Sequence, residues 1–254
     1  MTDTATSTAV HDFAEAVRVR LAALEEQAAS GGFDAAIDLV AGAIRQGGVA
    51  YAFGTGHSEA FAMEIAGRAG GLIPTKKVAL RDLALKGDLA VADLKGANLE
   101  RDPSVADRLF EIAEVGPHDV VLIASNSGVN GSIVGFALAA KRAGNPVIAV
   151  TSLDHTNRVE PKHPSGQRLK DVADVVLDNL APYGDAAITI GADVPVGAVS
   201  SITAAFIAQI ITIGVAERFT SAGDTAPLYL SANIPGGDEH NIALEERYGI
   251  SRFA

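Results

Sequence analysis

The 254-residue sequence contains no cysteine. That excludes disulfides, thiolate metal sites and a cysteine nucleophile, and it suits a reducing cytoplasm. Basic residues are scarce as well: 20 Lys and Arg stand against 31 Asp and Glu, a net charge of −11. That balance speaks against a broad surface for nucleic acid or for an anionic membrane. A small anion remains possible, because helix N-termini and a few donors act at short range. The opening "MTDTATSTAVHDF" has neither the basic start nor the apolar centre of a signal peptide. One long uncharged run stands out, "AVSSITAAFIAQIITIGVA" at 198–216. It carries Ser200, Ser201, Thr203, Gln209 and Thr212 and has no basic flank on its N-terminal side. It therefore reads as a helix buried in a core or a subunit interface, not as a membrane span.

What is present points to an ordered α/β protein. Hydrophobic residues make up 48% of a chain long enough to bury a large core. Phe13, Val17, Leu21 and Leu24 recur at helical spacing and predict a helix over about residues 10–29. "GG" at 31–32 ends it, and a second helix over "FDAAIDLVAGAIRQ" runs to "GG" at 47–48. After that, apolar runs alternate with helical patterns. "VAYAF", "VVLIA", "PVIAVTS" and "ADVVLDN" read as strands. "EAFAMEIAGRAGG", Gly131 to Gly144 and about 197–219 read as helices. This order predicts a doubly wound parallel sheet covered on both faces, a three-layer αβα sandwich. The stretch "LDHTNRVEPKHPSGQR" is a long polar loop. No repeat, low-complexity tract or interdomain linker is visible.

In such folds ligands bind at the carboxyl ends of the strands. Two strand ends are unusual here, "AFGTGHSEA" at 52–60 and "SNSGVNGS" at 125–132. The first is not a dinucleotide fingerprint, because Glu59 occupies the sixth position, where a small residue is needed. Nor is it a Walker A loop, since no Gly-Lys-Ser/Thr follows. No nucleotide cofactor is indicated, and no cofactor of any kind is expected. The second stretch leaves a buried strand and enters a helix at once. Unpaired N–H groups and the positive end of the helix dipole favour an anion there. Ser125, Ser127 and Asn130 add side-chain donors, and Gly128 lets the backbone come close. A helix cap needs only one such residue, and this stretch has several. It reads as a phosphate cradle.

The stretches "GTGHSEAFAMEIAGRAGG" and "DVVLIASNSGVNGSIVGFALAAKRAGNPVIAVTS" resemble the sugar isomerase (SIS) domain, a family that binds phosphorylated sugars through a Ser-x-Ser-Gly loop. "NLER" at 98–101, "KHPSGQRL" at 162–169, "VVLDN" at 175–179, "YGDA" at 183–186 and "GGDEHN" at 236–241 extend the likeness to nearly the whole chain from about residue 10. They point to a branch of sugar-phosphate proteins near N-acetylmuramic acid 6-phosphate etherase and lyase-like enzymes on N-acetylglucosamine 6-phosphate. The resemblance implies one domain over 1–254: N-terminal helices to residue 46, a sheet-and-helix core over 47–220, and a C-terminal active-site segment from 221. It implies a homodimer or larger assembly with a shared active site. It also implies that Ser125, Asn126, Ser127, Gly128 and Asn130 hold a phosphate, while Gly56, His57, Ser58 and Glu239 meet the sugar.

Acid–base candidates are Glu100, Glu64 and His240. Glu100 lies at a distance from the second strand that resembles the place of a catalytic glutamate in the etherase; its other reading is a solvated carboxylate before an acidic helix. Glu64 sits on an otherwise apolar helical stretch, where an i, i+4 ion pair with Arg68 is equally open. His240 would act as an acid, a base or a substrate contact across the dimer. Asp238, Glu239 and His240 lack a second ligand pair at metal spacing, so no metal is expected. The expected function is cofactor-free C2 proton abstraction from a 6-phosphorylated amino sugar, N-acetylglucosamine 6-phosphate first, with elimination. Aldose–ketose isomerisation and sugar-phosphate sensing without turnover are the alternatives. A sensor of this family usually carries a DNA-binding domain, and no basic recognition helix is present.

Overall fold

The computed structural model describes residues 5–95 and 98–250. The polar extreme N-terminus (1–4), residues 96 and 97, and the last four residues of the expected single domain lie outside them. Five strands form one parallel sheet: β1 (Ala50–Gly54), β2 (Thr75–Val78), β3 (Val120–Ala124), β4 (Val147–Thr151) and β5 (Val175–Asp178). Their order is β2-β1-β3-β4-β5. A hairpin of β6 (Ala186–Ile190) and β7 (Val194–Ala198) stands apart.

Helices fill the intervals. They are α1 (Ala5–Ala29), α2 (Asp34–Arg45), α3 (Glu59–Ile65), α4 (Asp82–Leu85), α5 (Asn98–Arg101), α6 (Val105–Ala113), α7 (Gly131–Ala143), α8 (Leu153–Thr156), α9 (Leu169–Val172), α10 (Ser200–Ser221) and α11 (Gly237–Tyr248).

Every residue of β1, β3 and β4 is buried, which is why these strands read as unbroken apolar runs and not as alternating ones. The two-residue strand period sends their side chains to separate cores. Ala52, Leu122 and Ile148 join Phe33, Ile37, Ile207 and Ile211 on one side. Phe53, Ile123 and Ala149 join Leu83, Leu109, Ile133 and Phe136 on the other. Phe136 is fully buried against the rings of Phe53, centroid distance 4.7 Å, and Phe110, 5.4 Å. This is the expected three-layer sandwich.

The uncharged run forms α10, long and apolar enough to cross a membrane by length and composition alone. Ile207, Ile211 and Val215 bury it in the same core as Ile37 and Val40 of α2. The expected helix after the first motif runs only to Ile65, and the chain turns extended at Ala66. The long polar loop begins with the single turn α8. "GGDEHN" opens a helix of its own, α11.

The strand order places the site. From β1 the chain moves outward to β2, then crosses back to the other side of β1 to form β3. β1 and β3 are neighbours, with Gly54 paired to Ala124, and the loops that follow them leave in opposite directions. That topological switch point is where doubly wound sheets open a crevice.

Candidate functional site

The loop after β1 turns sharply because Gly54 has no side chain; a Cβ there would collide with the carbonyl of Ser58. Gly56 has φ +55°, in the left-handed region. A 3₁₀ turn over Gly56–Ser58 then leads into α3.

The loop after β3 is tied down on three sides. The Ser125 N–H donates to Val150 O at 3.0 Å, and Ser125 Oγ accepts from the Gly128 N–H at 3.1 Å. The Asn126 carbonyl accepts from Ser152 N–H and from the Thr151 hydroxyl, both at 3.2 Å. Its side-chain oxygen accepts from Asn179 Nδ2 at 3.1 Å, beyond the end of β5. Gly128 has φ +63°, and its carbonyl accepts from Leu169 N–H at 2.7 Å. The ends of β4, β5 and α9 thus fix the shape of the turn. Ser127 is half-buried in it.

Asn130 is the N-cap residue of α7, yet its side chain makes no capping bond. Its amide donates to the Glu100 carboxylate instead. The Ser132 hydroxyl donates to the Glu100 carbonyl at 2.8 Å, so the first turn of α7 holds α5 at both ends of one residue. Glu100 Oε2 also lies 3.6 Å from the position a Cβ on Gly56 would take. Glu100 therefore stands where the two loops meet. The N–H groups of the first turn of α7 have no partner within the helix.

A small cavity, about 10 Å³, lies at the crevice. His57 and Ser58 line it from the first loop, Ser125 and Asn126 from the second, and Phe61, Ala124 and Val150 supply its apolar wall. Asn179, Ser200 and Ser201 complete it. Its volume suits a water or one oxygen of an anion, so a sugar ring has to sit outside it.

These last three residues are the ones sequence reading missed. Asn179 ends "VVLDN", a polar finish to a strand, which was a usable signal. Ser200 and Ser201 gave no signal beyond polarity in an apolar run. They are brought in by Asp185, a left-handed residue with φ 71°. Its carboxylate accepts from Ser200 N–H at 2.8 Å and from Ser200 Oγ at 2.7 Å, and so caps α10.

The other predicted residues fall elsewhere within one chain. Glu64 pairs with Arg68 and accepts from Gln209 Nε2 of α10 at 2.6 Å, and it does not line the cavity. His240 is half-buried with Nε2 3.0 Å from the Leu228 carbonyl. Glu239 is exposed on α11. The buried side chain of that motif is Asn241, whose amide both donates to and accepts from the backbone of Leu230, each at 2.9 Å. Among the described residues, no three His, Asp or Glu side chains gather as metal ligands.

The SIS domain family model matches residues 12–152, more than half of the chain. The chain belongs to the SIS domain family. The UPF0309 protein lmo0025 of Listeria monocytogenes is 36% identical over 219 residues, covering 86% of this chain and 88% of that protein. The UPF0309 protein BCAN_B0929 of Brucella canis is 39% identical over 233 residues, covering 91% and 90%. Among solved structures, the phosphoheptose isomerase GmhA of Neisseria gonorrhoeae superposes with a TM-score of 0.55 at 20% identity, over 84% of this chain and 98% of that one. E. coli CFT073 c3406, solved in complex with A5P, gives 0.55 at 20% identity over 86% and 93%. At that identity the likeness is one of fold: the five-stranded parallel sheet between helices is the SIS domain architecture.

Proposed function

We propose that this SIS domain protein is a cofactor-free enzyme that takes the C2 proton from a 6-phosphorylated amino sugar, N-acetylglucosamine 6-phosphate first, and eliminates the C3 substituent. The observation that carries this reading is the place of Glu100, a carboxylate held by Asn130 at the meeting of the two loops. The phosphate is assigned to the cradle formed by Ser125, Asn126, Ser127, Gly128 and Asn130. The sugar then extends past Gly56, His57 and Ser58 towards Glu100.

The open-chain sugar has an aldehyde at C1, which acidifies the C2 proton. Glu100 removes that proton, and the C–H electron pair moves into the C1 carbonyl as an enolate. When the enolate collapses, the C3–O bond breaks. Protonated Glu100 returns its proton to the leaving oxygen, so an unsaturated aldehyde and water result. A carboxylate in this role is worth roughly 10²–10⁴ in rate. Glu64 is engaged by Arg68 and Gln209 and takes a structural part in the seam between α3 and α10. In this reading His240 and Glu239 act at the cradle of a second copy of the chain.

Isomerisation is the second reading, favoured by the name of the Neisseria neighbour, a phosphoheptose isomerase. It shares every step up to the enolate and differs in reprotonating C1. The test is incubation with a panel of sugar phosphates followed by mass detection. Loss of one water from N-acetylglucosamine 6-phosphate supports elimination. A new sugar of unchanged mass supports isomerisation. Binding without either leaves a sensor, and no binding by any sugar phosphate overturns the assignment.

A further inference from the structure

Asn126 lines the small cavity, and Ser152 and Thr151 already hold its carbonyl. The polarity of its side chain is set separately. An asparagine amide has an acceptor oxygen on one side and a two-proton donor nitrogen on the other, in nearly the same shape. Its terminal torsion has two broad, roughly equivalent settings, so hydrogen-bond partners choose between them. Towards an anion the two settings have opposite sign: one attracts it and the other repels it.

The partner that chooses is Asn179, buried just beyond the end of β5. Its own polarity is fixed first. The Ala181 N–H can only donate, and it lies 3.0 Å from one side-chain atom of Asn179, so that atom is Oδ1. The other atom is then Nδ2, which can only donate, and it lies 3.1 Å from the Asn126 side chain. The Asn126 atom it meets has to be Oδ1. Asn126 Nδ2 is left over, a donor with no acceptor among the described residues, on a side chain at the cavity. We propose that Asn179 is a positioning residue for the anion site: it holds the Asn126 amide so that N–H, and not oxygen, is offered to the phosphate. The proposal rests on the phosphosugar reading above.

The backbone around Asn179 is strained in a way that serves this orientation. Leu180 has φ 58°, in the left-handed region that a branched side chain rarely enters. Its turn brings the Ala181 N–H back to the side chain of Asn179. Three contacts hold the turn. The Leu180 N–H donates to Asp178 Oδ1 at 3.0 Å, the Leu180 carbonyl accepts from Arg20 Nε of α1 at 2.9 Å, and the Ala181 carbonyl accepts from Ser152 Oγ at 2.6 Å. Arg20, Asp178 and Ser152 do not line the cavity themselves, so they act on it through Asn179.

The experiment is a double-substitution cycle read by calorimetry, with N-acetylglucosamine 6-phosphate and inorganic phosphate as the two probes. Asn126→Ala should weaken both about tenfold, the scale of one hydrogen bond to a charged group. Asn179→Ala should weaken them about fivefold or more while Asn126 is present, and within about twofold once Asn126→Ala is already in place. That coupling is what a merely structural residue would not show. Asn179→Asp keeps the acceptor for the Ala181 N–H but offers Asn126 a carboxylate, which draws the amide nitrogen to itself. Its loss should also be at least about fivefold greater with Asn126 present than with Asn126→Ala, and it carries the test where Asn179→Ala does not fold. Equal losses in the two backgrounds would mean that Asn179 meets the anion itself or only shapes the loop, and they overturn the proposal. Unchanged affinity in Asn126→Ala overturns it as well. If inorganic phosphate shows the coupling and the sugar does not bind, the sugar reading falls and the role of Asn179 stands; if neither probe binds the wild type, both fall.

Discussion

Gly128 shows how narrowly the cradle is specified. Its φ of +63° lies where an L side chain costs about 1–2 kcal/mol. A Cβ there would also sit 3.1 Å from Thr151 Oγ1 and 3.2 Å from Thr156 Oγ1. Thr156 is fully buried and its hydroxyl has no partner among the described residues, so the space beneath the turn is already tight and polar. Gly128→Ala should therefore lower stability by about 1–3 kcal/mol in urea denaturation, adding backbone strain to crowding. It should weaken sugar-phosphate binding more than a comparably destabilising core substitution does. The Ser-Asn-Ser-Gly turn was legible in the sequence because its residues are contiguous and exceed what a cap requires. Ser200 and Ser201 were not, because only tertiary pairing brings the start of α10 to the crevice, and Asn179 showed only as a polar finish to β5.

Among the elements, the buried central strands were legible from unbroken apolar runs. The edge strand β2 was not: "TKKV" carries two lysines and lies just after Pro74, and only its pairing with β1 makes it a strand. The hairpin of β6 and β7 was missed for a related reason, since its exposed residues Ile190, Val194 and Val196 follow no core-facing alternation.

α8 carries a pH effect. Burial holds the His155 imidazole below its ordinary value of 6.5, outweighing the Asp185 and Asp154 carboxylates, while Lys162 pushes the same way as burial. Its Nδ1 accepts from the Gly184 N–H at 3.3 Å, which needs the neutral ring. The unfolded chain therefore takes up this proton first as pH falls through about 6.5. The stability due to the neutral ring is complete above that pH and is lost on going below it, until the folded value is reached. Burial lowers His163 too, with the same sign. The melting temperature should fall from about pH 7.5 to about pH 5.5, and His155→Gln should flatten that slope.

For the molecule as a whole, the three-layer architecture followed from alternation of strands and helices, and the position of the crevice followed once the strand order was known. Only 44% of the most apolar window of α10 is buried in one chain, and Ile213 is 57% exposed on it, with Met63 of α3 exposed to the same degree. Exposed apolar surface of that kind is commonly covered by another subunit. Light scattering at micromolar concentration should give a dimer or larger. A clean monomer would remove the route by which His240 and Glu239 reach a cradle.

The proposed step is the transfer of a C2 proton by Glu100. It is tested most directly by incubating the protein with N-acetylglucosamine 6-phosphate in deuterated water and following deuterium by mass spectrometry. The wild type should yield a product lighter by one water, or, if isomerisation prevails, a product of unchanged formula bearing one deuterium. Glu100→Gln keeps the shape and the Asn130 contact, so it should bind the sugar and react at least ~10²-fold more slowly. A wild type that binds the sugar with neither product nor exchange at C2, or a Glu100→Gln protein that reacts at the full rate, would contradict the account.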